Sequence, residues 1–228
     1  ALWISTVHYS DLREAILTGA GAQAASDGLL NFTPQPRLVS ADMLLLASGG
    51  ITEPSGVVET LPWYLLDPGD YPEPVSGPYK IMFLDSAGQE LAGYTRSFTT
   101  TGTEDPAEPG LFTFKIPYPP NTARVQIRRV AGNALLKEIF PSATPPGLTL
   151  DPPASTTWQG EHSLTWQTSG AGPRYYSVDV STDDGATWEA LAVHLTETSY
   201  VLDTAAFPNT STAWVRIMAT DGLRTATV

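Results

Sequence analysis

Apolar and polar side chains alternate along most of the chain beyond Arg37. Leu164 and Trp166, then Tyr176, Val178 and Val180, then Val215, Ile217 and Ala219 fall at every second position, the spacing that turns one side of an extended strand toward a core. Runs of this kind predict strands over residues 38–47, 57–65, 79–84, 90–98, 111–116, 123–130 and 134–140, and again over 148–150, 163–167, 175–180, 187–193, 199–202, 213–219 and 223–228. Asp85-Ser86-Ala87-Gly88-Gln89 and Ala131-Gly132-Asn133 supply the polar and glycine residues that close hairpins between them. The period changes only near the start, where Leu12, Ala15 and Ile16 stand at helical spacing behind Ser10 or Asp11 as a cap, predicting one short helix over residues 10–17. Gly19-Ala20-Gly21-Ala22-Gln23-Ala24 has the spacing of a dinucleotide fingerprint, but it leaves a helix instead of a strand and is read as a loop.

Pro141-Ser142-Ala143-Thr144-Pro145-Pro146-Gly147 breaks the alternation with three prolines in seven residues. Such a stretch is extended and fairly stiff, and it marks a boundary between domains over residues 1–142 and 143–228. Twenty prolines and nineteen glycines punctuate short strands more naturally than helices. The predicted fold is therefore all-β: two tandem β-sandwich domains with a short N-terminal helix. There is no cysteine, so disulfides, thiolate metal sites and a cysteine nucleophile are excluded, and each domain must rest on packing alone.

The formal charge of −12 is shared evenly, with 15 acidic against 9 basic residues up to Ser142 and 9 against 3 after it. Such a surface repels phosphate backbones and anionic lipid, so nucleic acid and membrane partners are not expected. No apolar stretch approaches the roughly 20 residues that span a bilayer. The first residues, Ala1-Leu2-Trp3-Ile4-Ser5, have no Met or basic leader, and the last, Thr225-Ala226-Thr227-Val228, fall inside a strand-like run. The expectation is a piece of a larger protein whose other domains lie outside it.

Chemistry-bearing residues are scattered. His8, His162 and His194 are far apart and none belongs to a His-Glu-x-x-His pair; Gly-x-Ser-x-Gly and Gly-x-x-x-x-Gly-Lys are absent. Neither a hydrolase nor a P-loop reading has a starting point, and the fragment is expected to be non-catalytic, with no cofactor. Asp183, Asp184 and Asp221 could gather around calcium, although no Asp-x-Asp-x-Asp-Gly ladder is present. Trp63, Tyr64, Tyr71 and Tyr79 lie among prolines, where exposed rings could stack on sugars or could instead plug a sandwich core. Arg124, Arg128 and Arg129 share a strand whose charges discourage edge pairing.

Ser181, Asp183, Gly185, Thr187 and Trp188 fit Ser-x-Asp-x-Gly-x-Thr-Trp, which resembles an Asp-box hairpin. The resemblance implies that Asp183 accepts backbone bonds across the turn, Gly185 takes a positive φ and Trp188 folds back over the hairpin. It implies turn chemistry and not sialidase activity. Leu164-Thr165-Trp166, Tyr176-Ser177-Val178, Ser199-Tyr200-Val201-Leu202 and Val215-Arg216-Ile217-Met218-Ala219 resemble a fibronectin type III or related immunoglobulin-like module. Trp214 stands where such modules usually carry a corner Tyr. Trp3-Ile4-Ser5, Tyr9 and the helix after it are similar to the segment that closes the catalytic domain of some large secreted prokaryotic zinc metallopeptidases. These resemblances imply an extracellular or cell-surface accessory region, a spacer, stabiliser or adhesion module whose partners are neighbouring domains. The alternative is a carbohydrate-binding module for a polysaccharide or cell-surface ligand.

Overall fold

A computed structural model of the protein describes residues 38–41, 43–72, 76–97, 109–152, 157–171 and 174–228. These residues form antiparallel β-sheets, with helical turns only at Ala131–Asn133 and Thr204–Ala206. The predicted helix over residues 10–17, the loop after it and His8 lie outside the described residues. The chain divides between Pro141 and Ser142 into two units.

In the first unit the strands are β1 (Leu38–Ala41), β2 (Leu44–Thr52), β3 (Val57–Thr60), β4 (Tyr64–Leu66), β5 (Gly69–Pro72), β6 (Tyr79–Leu84), β7 (Glu90–Arg96), β8 (Gly110–Pro117), β9 (Arg124–Arg129) and β10 (Leu135–Ile139). One sheet has the order β10-β9-β6-β7; a second is built on β2, with β8 along one edge and β3 and β4 sharing the other; β1 and β5 pair by themselves. Ile81 and Phe83 of β6 are buried at alternate positions, as one face of a strand turned to a core requires, and Val125 and Ile127 of β9 and Phe112 and Ile116 of β8 are buried with them. The rings of Tyr94 and Tyr118 meet Phe83 edge-on at 5.9 and 5.7 Å.

Two predicted strands are each divided in two. The run over residues 38–47 splits after Ala41, so that β1 pairs with β5 while β2 runs on through Ser48, Gly49 and Gly50 to Thr52. Gly49 makes that extension possible: a Cβ there would lie 2.4 Å from the Glu59 carbonyl oxygen and 2.9 Å from the Phe112 ring. A glycine inside a strand commonly marks such a close approach. The run over residues 57–65 splits at Leu61-Pro62-Trp63, because proline has no N–H for the ladder. The Ser48 carbonyl holds the break together, accepting from the Leu61 N–H at 3.0 Å and the Trp63 indole N–H at 2.8 Å. Strand β5 carries Gly69 and Pro72 and reads as loop in the sequence; only its pairing with β1 makes it a strand.

A polar clamp joins the two main sheets. Glu53, in the turn after β2, accepts from the Tyr79 hydroxyl and forms an ion pair with Arg129 at 2.8 Å. Burial, and then the Glu53 bond, push the Tyr79 phenol up to about 12.

The second unit contains β11 (Gly147–Leu150), β12 (Glu161–Ser169), β13 (Tyr175–Ser181), β14 (Glu189–Leu195), β15 (Ser199–Asp203), β16 (Trp214–Thr220) and β17 (Thr225–Thr227). They make a sheet of order β11-β12-β15 and another of order β14-β13-β16-β17. Leu164, Trp166 and Leu202 of the first pack with Tyr176, Val178, Ala192, Ile217 and Ala219 of the second, so the two sheets enclose one core. Trp166 and Tyr176 meet edge-on across it at 5.4 Å. Both units use the same strand order in their four-stranded sheets, and β2 pairs with β8 as β12 pairs with β15. They differ at the strand beside β2: β11 precedes its partner β12 in the chain, whereas β3 and β4 follow β2.

Candidate functional site at the hairpin end of the second unit

The β13–β14 hairpin turns where Asp184 and Gly185 both take positive φ, 62° and 82°. Glycine adopts that conformation freely, and Asp more readily than most residues. Ser181 Oγ accepts from the Gly185 N–H at 2.9 Å and donates to Asp183 Oδ1 at 2.7 Å. Across the turn, Asp183 Oδ1 accepts from the Thr187 N–H at 2.8 Å and Oδ2 from the Thr187 hydroxyl at 2.6 Å. The Thr187 hydroxyl, then its N–H and the Ser181 hydroxyl, hold the Asp183 carboxyl down to about 2, from an ordinary 3.8.

Because that value is depressed in the folded state, the charged acceptor stabilises the turn above about pH 4 and ceases to do so as pH falls through about 2. The melting temperatures of wild type and Asp183→Asn should therefore converge between those limits. A gap independent of pH would show that the carboxylate charge is not what the turn uses.

Trp188 folds back over this turn. A side chain at Gly185 would meet its ring at 3.8 Å, and the Arg216 guanidinium lies over the ring at 4.2 Å from its centre. Arg216 is itself anchored, donating from Nε and Nη2 to Oδ2 of the buried Asp179 at 3.1 and 2.7 Å. The ring is thus half-buried beneath a cation instead of inserted into the core between the sheets.

Thr212, just before β16, and Trp214, its first residue, tie the same turn down from the other side. The Asp184 N–H donates to the Thr212 carbonyl at 3.0 Å, the Thr212 hydroxyl donates to the Thr182 carbonyl at 3.2 Å, and the Trp214 indole N–H donates to Asp184 Oδ1 at 2.9 Å. Sequence reading passed over this part of the site. Its only local signal is the pair of threonines, Thr210 and Thr212, ahead of the Trp.

Asp183, Asp184 and Asp221 do not come together. Asp184 stands beside Trp214 at one end of β16, and Asp221 follows Thr220 at the other. At ~3.3 Å per residue, the strand's length of roughly 20 Å separates them, too far to share a cation. Among the described residues no group of three His, Asp or Glu side chains could hold a metal ion. Asp221 instead closes the β16–β17 turn, accepting from the Leu223 and Arg224 N–H groups at 3.0 and 2.8 Å and from the Ser142 hydroxyl at 2.6 Å. Ser142, inside the proline-rich stretch, is thereby fastened to the second unit.

Of the two readings of Trp63 and Tyr64, stacking on sugars or plugging a core, their burial fits the second. Both are 0% exposed, and Trp63 has spent its N–H on Ser48. They are core residues of the first unit, with no ring face open to a ligand. Tyr71 is half-buried on β5, in electrostatic contact with Tyr94 and Arg96, and Tyr79 is buried in the Glu53 clamp. The strand arginines are engaged as well: Arg124 and Arg129 pair with Glu138 and Glu53, and Arg128 donates to Gln126 and the Asn133 carbonyl. His162 accepts from the Gln159 N–H and stacks on Trp158, and His194 lies edge-on to Tyr175.

Fold and site together define an all-β protein of antiparallel sheets whose polar side chains chiefly lock turns. No family model, curated protein or solved structure matches the chain.

Proposed function

We propose that the chain is a non-catalytic accessory region of a larger secreted or surface protein, a pair of β-sandwiches, the second immunoglobulin-like, acting as spacer, stabiliser or adhesion module. The observation that carries the reading is the strand order of the second unit. In immunoglobulin constant-type domains the strand after C returns to the first sheet as D. Here its counterpart β14 pairs with β13 in the second sheet, leaving β11-β12-β15 opposite β17-β16-β13-β14. That three-plus-four arrangement supports a fibronectin type III-like module, and the Ser181, Asp183, Gly185, Thr187 and Trp188 network supports an Asp-box hairpin set into it. On this reading the catalytic chemistry belongs to a neighbouring domain, a zinc metallopeptidase if the resemblance of residues 3–17 holds.

Peptide, glycoside and ester substrates offered to the chain, with zinc or calcium added, should turn over at background rates. Turnover abolished by substituting a single Asp, Glu or His would defeat the accessory reading.

A further inference from the structure

We propose that Trp214 is the platform of a binding surface for neutral, β-linked polysaccharide chains. A spacer needs no such surface, so the proposal goes beyond the accessory role.

Of the large apolar side chains left exposed among the described residues, several, such as Phe140 and Val201, are simply solvated, as scattered surface residues commonly are. Trp214 differs. Its ring is 56% exposed, yet its orientation is restrained, because the indole N–H is bonded to Asp184 Oδ1 at 2.9 Å. Asp184 is in turn held by its own N–H on the Thr212 carbonyl, and the Thr212 hydroxyl by the Thr182 carbonyl and by Thr210 Oγ1 at 2.8 Å. A restrained ring has already lost part of its rotamer freedom, so a ligand that stacks on it bears less of that cost.

The neighbouring groups select the ligand. A pyranose with equatorial hydroxyls offers flat faces of axial C–H bonds that match an indole ring, while its rim offers hydroxyl donors. Asp184 Oδ2 accepts no bond from the described residues and stands beside the ring as an acceptor for such a hydroxyl; Thr210, also exposed, adds a second polar contact. The cation on the same side of β16 is committed elsewhere, since Arg216 is engaged by Asp179 and the Trp188 ring. With Asp183 and Asp184 close by and a net charge of −12, an acidic polysaccharide is repelled and a neutral one is not. A single open ring at a hairpin end suits an extended chain lying across it, in contrast to the enclosed pockets that hold small ligands.

The test uses the whole chain, run through native gels containing barley β-glucan, hydroxyethylcellulose or xylan and titrated calorimetrically with cellopentaose. Retardation in at least one gel is expected, with cellopentaose dissociating at millimolar concentrations. Trp214→Ala should abolish retardation, a loss of about tenfold or more in affinity, as for an aromatic anchor. Trp214→Phe, which keeps an aromatic face, should retain part of it. Asp184→Asn can still hold the indole through its carbonyl but loses the second acceptor, and should weaken binding severalfold with an unchanged circular dichroism spectrum. Absence of retardation in all three gels, or retardation that Trp214→Ala retains, overturns the proposal. Neither result touches the accessory reading, which fails on turnover and not on binding.

Discussion

Replacing Trp63 with alanine is expected to destabilise the first unit by about 3–5 kcal/mol, the range for emptying a large aromatic site in a core. The ring is fully buried, and its N–H is one of two donors to the Ser48 carbonyl at the break between β3 and β4. The substitution therefore opens a cavity and loosens the side-chain tie that holds both strand segments against β2. Trp63→Phe, which keeps most of the volume and loses the N–H, should cost only about 1 kcal/mol for the bond, plus a smaller cavity. Urea denaturation gives the magnitude, and hydrogen exchange in peptides covering residues 44–66 shows where it falls. A Trp63→Ala chain as stable as wild type, with those amides still protected, would return the ring to the list of candidate ligand contacts.

Asp221→Ala should cost about 3 kcal/mol in the second unit, at the lower end of the range for removing one partner of a buried, charge-assisted network because Arg224 is partly exposed. The carboxylate itself is fully covered; it accepts from two backbone N–H groups of its own turn and ties Ser142 and Arg224 together. Burial pushes its pKa up, but the bonds from Ser142, Arg224 and Leu223 outweigh burial and leave it below the ordinary carboxylate value of 3.8. With the folded value depressed, the contribution is present above that ordinary value and disappears as pH falls through the lower folded one. The gap between wild type and Asp221→Ala should accordingly narrow in acid. Exchange over residues 142–147 should accelerate in the variant, since Ser142 loses its anchor. If those amides exchange as slowly as before, Asp221 does not hold the proline-rich stretch.

The two aspartates differ in how visible they were. Every hydrogen bond of Asp183 closes within Ser181 to Thr187, so spacing alone specifies its partners. The pairing of Asp221 with Leu223 and Arg224 is equally local, and the Asp-Gly step after a strand is a turn signal; its bond to Ser142 spans 79 positions and has no local mark. Likewise Asp184 and Trp214 are 30 residues apart. Their contact exists because β13 and β16 pair in a register that sets Ser181 opposite Trp214.

The sequence by itself determined the all-β class and most strand positions, because side chains alternating at period two can bury one face only in an extended chain. It also determined the hairpin turns at Asp85–Gln89 and Ala131–Asn133, where Gly88, Gly132 and Asn133 take the positive φ those turns require. Only the tertiary structure decided which aromatics are covered. Nothing local distinguishes Trp63 and Tyr64 from Trp214, yet the first two are buried where their segment meets β2, and Trp214 is left 56% exposed. Burial depends on partners distant along the chain, and a local pattern carries no information about them. The same reason explains the split after Ala41: alternation specifies that a segment is extended, and the neighbouring strands decide how far it stays paired, whereas the split at Pro62 follows from a residue with no N–H for the ladder.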